Sequence, residues 1–151
     1  MKVSGIVFMI MMNRSTIEQL VKVKIDGVEL EGMLSVPIGA GGIVLFAHGS
    51  GSSRLSPRNM FVAKVLQKEG VATMLIDLLT EEEDEIYETR FDIYLLTDRL
   101  VEIIHWLQKQ PETKGLSLGF FGASTGAAAA LKVAARLGSG IAAVVSRGGR
   151  P

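Results

Sequence analysis

The residues best suited to do chemistry lie in the segment 122–126, GASTG, which matches the pattern G-x-S-x-G. An apolar run at 116–121 precedes it and an alanine-rich segment follows it. This context predicts a sharp turn from a buried strand into a helix, with the serine hydroxyl projecting above the sheet edge. We expect Ser124 to be a nucleophile and the backbone N–H of Thr125 to stabilise a developing oxyanion. The simpler alternative is a glycine-rich strand–helix turn that does no chemistry.

A second glycine-rich segment, HGSGSS at 48–53, directly follows another apolar run at 43–47. Backbone N–H groups in such a loop can face the same oxyanion. We assign the second donor to the N–H of Ser50, with Gly49 and Gly51 as near alternatives. A phosphate-binding loop is the competing interpretation, but the G-K-[ST] ending of a Walker loop is missing.

A serine nucleophile needs a proton acceptor, and the chain has only two histidines. His105 lies on a helix that returns to the start of the strand before Ser124, so we expect it at the opposite end of the sheet. His48 and Asp77 each follow an apolar run and should reach the same edge as Ser124. They are the candidate base and acid of a makeshift triad. The alternative for His48 is a structural histidine whose ring is hydrogen-bonded locally.

Charged residues near this edge offer further candidates. Arg54 and Arg147, with Arg58 and Arg150 close to them in sequence, fall on predicted loops where guanidinium groups can hold a substrate carboxylate or phosphate. Surface arginines need no such role. The acidic run at 81–85 is expected to be a solvated loop, with a cation site as the alternative.

The elements that must position these residues follow from hydrophobic periodicity. Residues 21–31 alternate apolar and charged side chains around Asp26-Gly27, which predicts an antiparallel hairpin that pairs Ile25 with Val28. Continuous apolar runs at 43–47, 71–76, 116–121 and 141–145 are typical of strands buried on both faces. Helices are predicted between them, from Pro57 to Gly70, over 91–110 and over 125–137. The order implies a three-layer α/β fold with a mostly parallel sheet.

Composition narrows the function further. The 151 residues carry 16 basic and 16 acidic side chains, which argues against a nucleic-acid partner. Without cysteine there is no disulfide or thiol nucleophile, and no motif implies a metal or cofactor. The apolar stretch at 1–12 is too short to span a bilayer and lacks a signal-cleavage pattern. We expect an N-terminal extension over 1–16, one domain over 17–151, no membrane partner and a cytoplasmic location.

The segments LFAHGSGSSRLSPRN, IDLLTEEE, RFDIYLL, FGASTGAAAALKVAA and VVSRGGRP together resemble the dienelactone hydrolase-like branch of the α/β-hydrolase fold. The resemblance covers residues 17–151 and extends to a subgroup sometimes joined to a phosphoribosyltransferase-like domain. It implies hydrolysis of an ester, lactone or thioester through an acyl-serine at Ser124, with Ser50 and Thr125 at the oxyanion. In that fold the acid and histidine follow the serine in sequence. No Asp, Glu or His follows Ser124 here, so the chain is expected to be an incomplete α/β-hydrolase fold.

Two consequences are expected from that incompleteness. The last apolar strand would leave a free sheet edge, which favours a homo-oligomer. Catalysis by the chain alone should be weak or absent. A non-catalytic binding protein and one half of a split hydrolase are the alternative functions.

Overall fold

The computed structural model describes residues 16–148, which form one six-stranded sheet with helices on both faces. Arg150 lies outside the described residues, and so does the predicted N-terminal extension over 1–16 except for its last residue, Thr16. The strands are β1 (Thr16–Ile25), β2 (Val28–Pro37), β3 (Gly42–Ala47), β4 (Ala72–Ile76), β5 (Ser117–Ala123) and β6 (Ala143–Arg147). The helices are α1 (Pro57–Lys68), α2 (Glu81–Asp84), α3 (Tyr87–Arg90), α4 (Ile93–Lys109) and α5 (Thr125–Leu137), followed by a 3-10 turn (Gly138–Gly140).

The hairpin of β1 and β2 forms in the register that the sequence predicts, with Ile25 opposite Val28 and Lys24 opposite Glu29. Both turn residues have positive φ, Asp26 at 47° and Gly27 at 82°, which matches the twist of a two-residue hairpin turn. Lys22 forms its ion pair, at 3.0 Å, with Glu29, which is its diagonal neighbour on the solvent-exposed face of the hairpin. Charge alternation therefore sets the exposed face of this hairpin.

The sheet has the strand order β1-β2-β4-β3-β5-β6. The β1–β2 and β2–β4 pairs are antiparallel, whereas β3 pairs in parallel with β4 and β5, and β5 in parallel with β6. The predicted mixed, mostly parallel α/β architecture is confirmed. Because the parallel strands point the same way, the residues after β3, β4 and β5 meet at one edge of the sheet.

Alternation along β3 divides the core between two faces. Ile43 and Leu45 join the large core beneath α4 and α5, whereas Phe46 packs with Leu75 and with Ala63 of α1. The two faces explain why β3 reads as a continuous apolar run. Phe46 also contacts Phe121, with ring centroids 5.2 Å apart. The three layers are therefore α1, the sheet, and α4 with α5.

Three predicted segments differ from the structure. The last strand, predicted over 141–145 and buried on both faces, runs from Ala143 to Arg147 and is largely exposed, since β5 is its one neighbour among the described strands. The predicted helix over 91–110 begins at Ile93, because Asp92 caps it by accepting the N–H of Leu95. The acidic run is not a plain loop. Its first four residues form the single turn α2, closed by a capping box in which Thr80 and Glu83 bond each other's backbone N–H groups.

Candidate active site

The backbone at Ser124 is strained in the way that a nucleophile elbow requires. Ser124 has φ +52° and ψ −120°, a conformation that non-glycine residues rarely adopt, and it is solvent-exposed. Its N–H donates to the carbonyl oxygen of Arg147 at 3.1 Å, and its own carbonyl accepts the N–H of Ala128 at 3.2 Å. These bonds fasten the elbow to β6 on one side and to α5 on the other.

The glycines on either side of the serine are required by close backbone contacts. A Cβ at Gly122 would lie 2.6 Å from the Cα of Ala127, and a Cβ at Gly126 would lie 2.1 Å from the carbonyl oxygen of Ala47. Helix α5 can therefore approach the ends of β3 and β5 only because these positions lack side chains. The first N–H groups of α5, including that of Thr125, have no partner within the helix and are available at its positive end.

The second glycine-rich segment lies directly beside Ser124. A Cβ at Gly49 would be 3.2 Å from the Cβ of Ser124. The N–H of Ser52 donates to the carbonyl of Gly49 at 3.1 Å, and Gly51 between them has φ +71°, as in a type II turn. Ser50 is the second residue of that turn, so its N–H is not used by the turn's own hydrogen bond. The two segments that the sequence singled out are thus adjacent.

His48 is buried, and both of its ring nitrogens have backbone partners. Its Nε2 accepts the N–H of Leu78 at 2.9 Å, so Nδ1 carries the proton and donates to the carbonyl of Gly49, also at 2.9 Å. A ring held in this way has no free nitrogen to accept the proton of Ser124. The geometry therefore opposes the interpretation of His48 as a base and favours the structural alternative.

Asp77 and Arg54 are also committed to other partners. One carboxylate oxygen of Asp77 accepts the backbone N–H of Arg54 at 2.7 Å, and the other accepts Nη1 of the same residue. The remaining Nη2 of Arg54 lies 2.9 Å from the carboxylate of Glu31 on β2. Asp77 does not contact a histidine as a triad acid would. Two of the three guanidinium nitrogens of Arg54 are paired within the protein, and its Nε is buried without a partner. These contacts oppose both sequence-based assignments, which stay predictions.

The remaining two candidates, Arg147 and His105, lie at opposite ends of the sheet. Arg147 is exposed on β6 beside the elbow, and its carbonyl holds the N–H of Ser124. His105 is exposed near the end of α4, with Nδ1 3.5 Å from Glu102. Helix α4 leads into the start of β5 whereas Ser124 follows its end, so the length of a seven-residue strand, roughly 20 Å, separates the two residues. His105 cannot serve Ser124, as expected.

An open cleft of about 560 Å³ lies next to this edge. Asp77, His48 and Arg54 contribute to its wall, and further carboxylates surround them, from Glu29, Glu31, Glu81, Glu82 and Asp84. Ser124 is not among its lining residues. Within residues 16–148, no group of three or more His, Asp or Glu side chains is arranged to hold a metal ion.

One polar pair near the site was missed by the sequence analysis. Arg99 is 5% exposed on the apolar side of α4 and donates to both carboxylate oxygens of Glu83, each at 2.6 Å. It also donates to the carbonyl of Leu78 at 2.9 Å. Hydrogen bonding from Arg99 holds the pKa of Glu83 below its usual range, opposed by desolvation. The T-x-x-E pattern at 80–83 and an arginine on an apolar stripe were the available signals.

The chain is similar to a protein family and to several individual proteins. Residues 100–150 match the family "BAAT / Acyl-CoA thioester hydrolase C terminal". Over 134 residues the chain is 53% identical to two Mycobacterium tuberculosis proteins, from strains CDC 1551 and H37Rv, whose names assign them provisionally to the phosphoribosyl transferases. The match takes in 89% of this chain but 30% of those relatives, so the chain spans less than a third of their length.

Two solved structures match this chain over a larger share of their own length. A dienelactone hydrolase from Anabaena variabilis is 57% identical, with a TM-score of 0.86 over 90% of this chain and 65% of its own. Est1E from Butyrivibrio proteoclasticus is 17% identical with a TM-score of 0.70, over 83% of this chain and 49% of its own, which shows the fold alone. Within residues 16–148, no helix is long and apolar enough to cross a membrane. The chain has the α/β-hydrolase fold and is similar to this dienelactone hydrolase in both sequence and structure.

Proposed function

We propose that this chain carries the acyl-transfer site of a carboxylic-ester, lactone or thioester hydrolase, with Ser124 as its nucleophile. The observation that carries the proposal is the strained backbone of an exposed Ser124, between Gly122 and Gly126, at the start of α5. Such strain costs on the order of 1–3 kcal/mol and is typical of functional sites. The names of the matched family and of the Anabaena structure support the ester and thioester substrate class.

In the proposed step the Ser124 hydroxyl oxygen attacks the substrate carbonyl carbon. The N–H groups of Ser50 and Thr125 donate to the carbonyl oxygen as it becomes negative. The hydroxyl proton passes to a hydroxide ion, which becomes water. The alkoxide or thiolate leaves and takes a proton from water, which restores the hydroxide. An acyl-serine remains, which water then hydrolyses. Since His48 has no free ring nitrogen, turnover by this chain is expected to be slow. An oxyanion hole and substrate binding together retain roughly 10³–10⁴-fold acceleration over water in a well-studied serine protease.

Arg147 is the remaining candidate for contact with an anionic part of the substrate, because its exposed side chain lies beside Ser124.

A cytoplasmic location also remains a proposal. The alternative functions, a non-catalytic binding protein and one half of a split hydrolase, share one supporting observation. Neither histidine of the described chain is placed to take the proton of Ser124.

A fluorophosphonate probe tests the proposal, since it reacts with an activated serine. We expect the wild type to form one covalent adduct and Ser124→Ala to form none. Ser117→Ala is the matched control, because Ser117 is exposed at the opposite end of the same strand. Intact mass measurement over several hours follows the reaction. A folded wild type without adduct would overturn the esterase proposal and favour a binding role.

We also propose that the free edge of β6 pairs with the β6 edge of a second copy of the chain. Among the described residues β6 pairs only with β5, its side chains are largely exposed, and it contains no acidic residue or proline. Arg147 is its one charged residue, and the zero net charge of the chain removes long-range repulsion between copies.

Sedimentation velocity at micromolar concentration is therefore expected to show a dimer. The N–H of Ala142 donates to Leu118, so by alternation the N–H of Val145 faces away from β5. Val145→Pro removes that outward donor and is expected to give a monomer with an unchanged circular dichroism spectrum. A monomeric wild type would contradict edge pairing.

A further inference from the structure

We propose that Arg54 is a positioning residue, which holds the segment 49–53 against the sheet so that the N–H of Ser50 faces Ser124. The inference rests on the proposed function for its catalytic meaning, since it concerns the oxyanion donor of that site. The sequence suggested that Arg54 binds substrate, whereas in the structure its backbone N–H, Nη1 and Nη2 are paired with Asp77 and Glu31.

The segment 49–53 is fastened at both ends to two consecutive residues that follow β4. At its start, His48 accepts the N–H of Leu78 at 2.9 Å. At its end, Arg54 donates its backbone N–H to Asp77 at 2.7 Å and its Nη1 to the same carboxylate. Because Leu78 and Asp77 are adjacent, the two ends of the loop are set by one short piece of backbone.

That piece of backbone is itself part of the sheet. The N–H of Asp77 donates to the carbonyl of Glu31 at 2.9 Å, which extends the pairing of β4 with β2. The Nη2 of Arg54 reaches the side chain of the same Glu31, at 2.9 Å. Arg54 therefore ties the loop to both strands, and the side chains of Arg54 and Asp77 are each only 20% exposed.

The loop has little else to fix its shape. Gly49 and Gly51 are required, the first by its contact with Ser124 and the second by its positive φ, yet glycine gives the unfolded loop the greatest freedom. The turn bond from Ser52 to Gly49 is local and does not anchor the loop to the sheet. Ser53 also accepts the N–H groups of Leu55 and Ser56, which are local bonds as well. Loss of the Arg54 anchor should therefore leave the segment attached to the residues after β4 only at His48.

Arginine suits this role better than lysine. Its planar group donates in two directions at once, to Asp77 and to Glu31, whereas an ammonium group is a single point of charge on a flexible stem. If Arg54 instead bound a substrate anion, the anion would have to compete with Asp77 and Glu31 for Nη1 and Nη2, since Nε is buried. The two roles therefore predict different effects of Asp77→Asn. A substrate-binding Arg54 would be released from Asp77 and could still bind the substrate, whereas a positioning Arg54 would lose its anchor.

The test uses Arg54→Met, Arg54→Lys and Asp77→Asn in the full chain, with Arg136→Met as the control. Arg136 forms an exposed pair with Asp98 at 2.9 Å, which is expected to matter little. Hydrogen exchange of the backbone N–H groups at 49–53 is measured together with fluorophosphonate labelling of Ser124, using one neutral and one anionic probe.

We expect Arg54→Met and Asp77→Asn each to raise exchange at 49–53 about tenfold or more, with β4 and α5 unchanged. Labelling by the neutral and the anionic probe should fall in parallel. The double variant Arg54→Met/Asp77→Asn should be labelled no more slowly than the slower of the two single variants. The labelling rate of Arg54→Lys should lie between those of Arg54→Met and the wild type. Unchanged exchange in Arg54→Met, or a loss confined to the anionic probe, would overturn the inference. If the wild type is not labelled, the proposed function fails, while the exchange result still decides whether Arg54 holds the loop.

Discussion

Gly126→Ala is expected to lower the stability of the whole domain sharply. The added Cβ would lie 2.1 Å from the carbonyl oxygen of Ala47 and 2.4 Å from that of His48. Both atoms belong to the backbone at the end of β3, so neither can move aside as a flexible side chain would. Helix α5 must shift away from the sheet, which we expect to cost about 3 kcal/mol or more, despite the higher helix propensity of alanine.

Thermal unfolding measures this effect, with an expected loss of about 6–12 °C for a domain of this size. Gly115→Ala is the matched control, because a Cβ there meets nothing within 4 Å. It should leave the melting temperature unchanged or slightly raised. A Gly126→Ala variant that melts with the wild type would show that α5 does not approach β3 as described.

Glu83→Gln is expected to have the second largest effect, because it leaves the Arg99 guanidinium buried without its countercharge. Arg99 is 5% exposed and keeps only the carbonyl of Leu78 as a charge-assisted partner. The capping box at the start of α2 also loses its carboxylate. We expect a loss of about 2 kcal/mol or more in the free energy of unfolding at pH 7.

The stabilisation by Glu83 is expected to depend on pH, in a direction that follows from its lowered pKa. The folded pKa of Glu83 is lowered, so its stabilisation is complete above the ordinary value of 4.5 and is lost as the pH falls through the folded pKa. The difference between wild type and Glu83→Gln should therefore be largest at neutral pH and vanish in acid. Urea unfolding at several pH values measures it.

Two further variants separate the Glu83 pair from general surface charge. Glu82→Gln changes an exposed neighbour in the same turn and should have little effect. Adding Arg99→Met to Glu83→Gln should recover stability, since it removes the unpaired buried charge. A pH-independent difference, or no recovery in the double variant, would contradict the assigned ion pair.

Local rules were sufficient for the parts of this fold whose causes are close in sequence. The register of β1 and β2 follows from a two-residue turn and alternating charge, and α1 begins at Ser56-Pro57 as capping predicts. The segment 122–126 was placed correctly because a strand and a helix flank it directly. The approach of Gly49 to Ser124 also followed, since β3 and β5 are parallel neighbours.

The partners of the polar residues could not be predicted in the same way. Sequence shows that His48, Asp77 and Arg54 reach one edge, but not which atoms they contact there. Two backbone groups take both nitrogens of His48, and Arg54 takes the carboxylate of Asp77. A shared edge is compatible both with a makeshift triad and with a structural His48, and the backbone partners of its ring favour the second interpretation. Hydrogen-bond geometry across strands, which has no local pattern, decides between these roles.

The pH dependence of fluorophosphonate labelling tests the central claim most directly. The account predicts an adduct on the peptide that contains Ser124, formed slowly, at a rate that rises about tenfold per pH unit without levelling off near the usual histidine pKa of about 6.5. An adduct on another residue, or a rate that levels off near neutral pH, would contradict a serine elbow that has no histidine base within this chain.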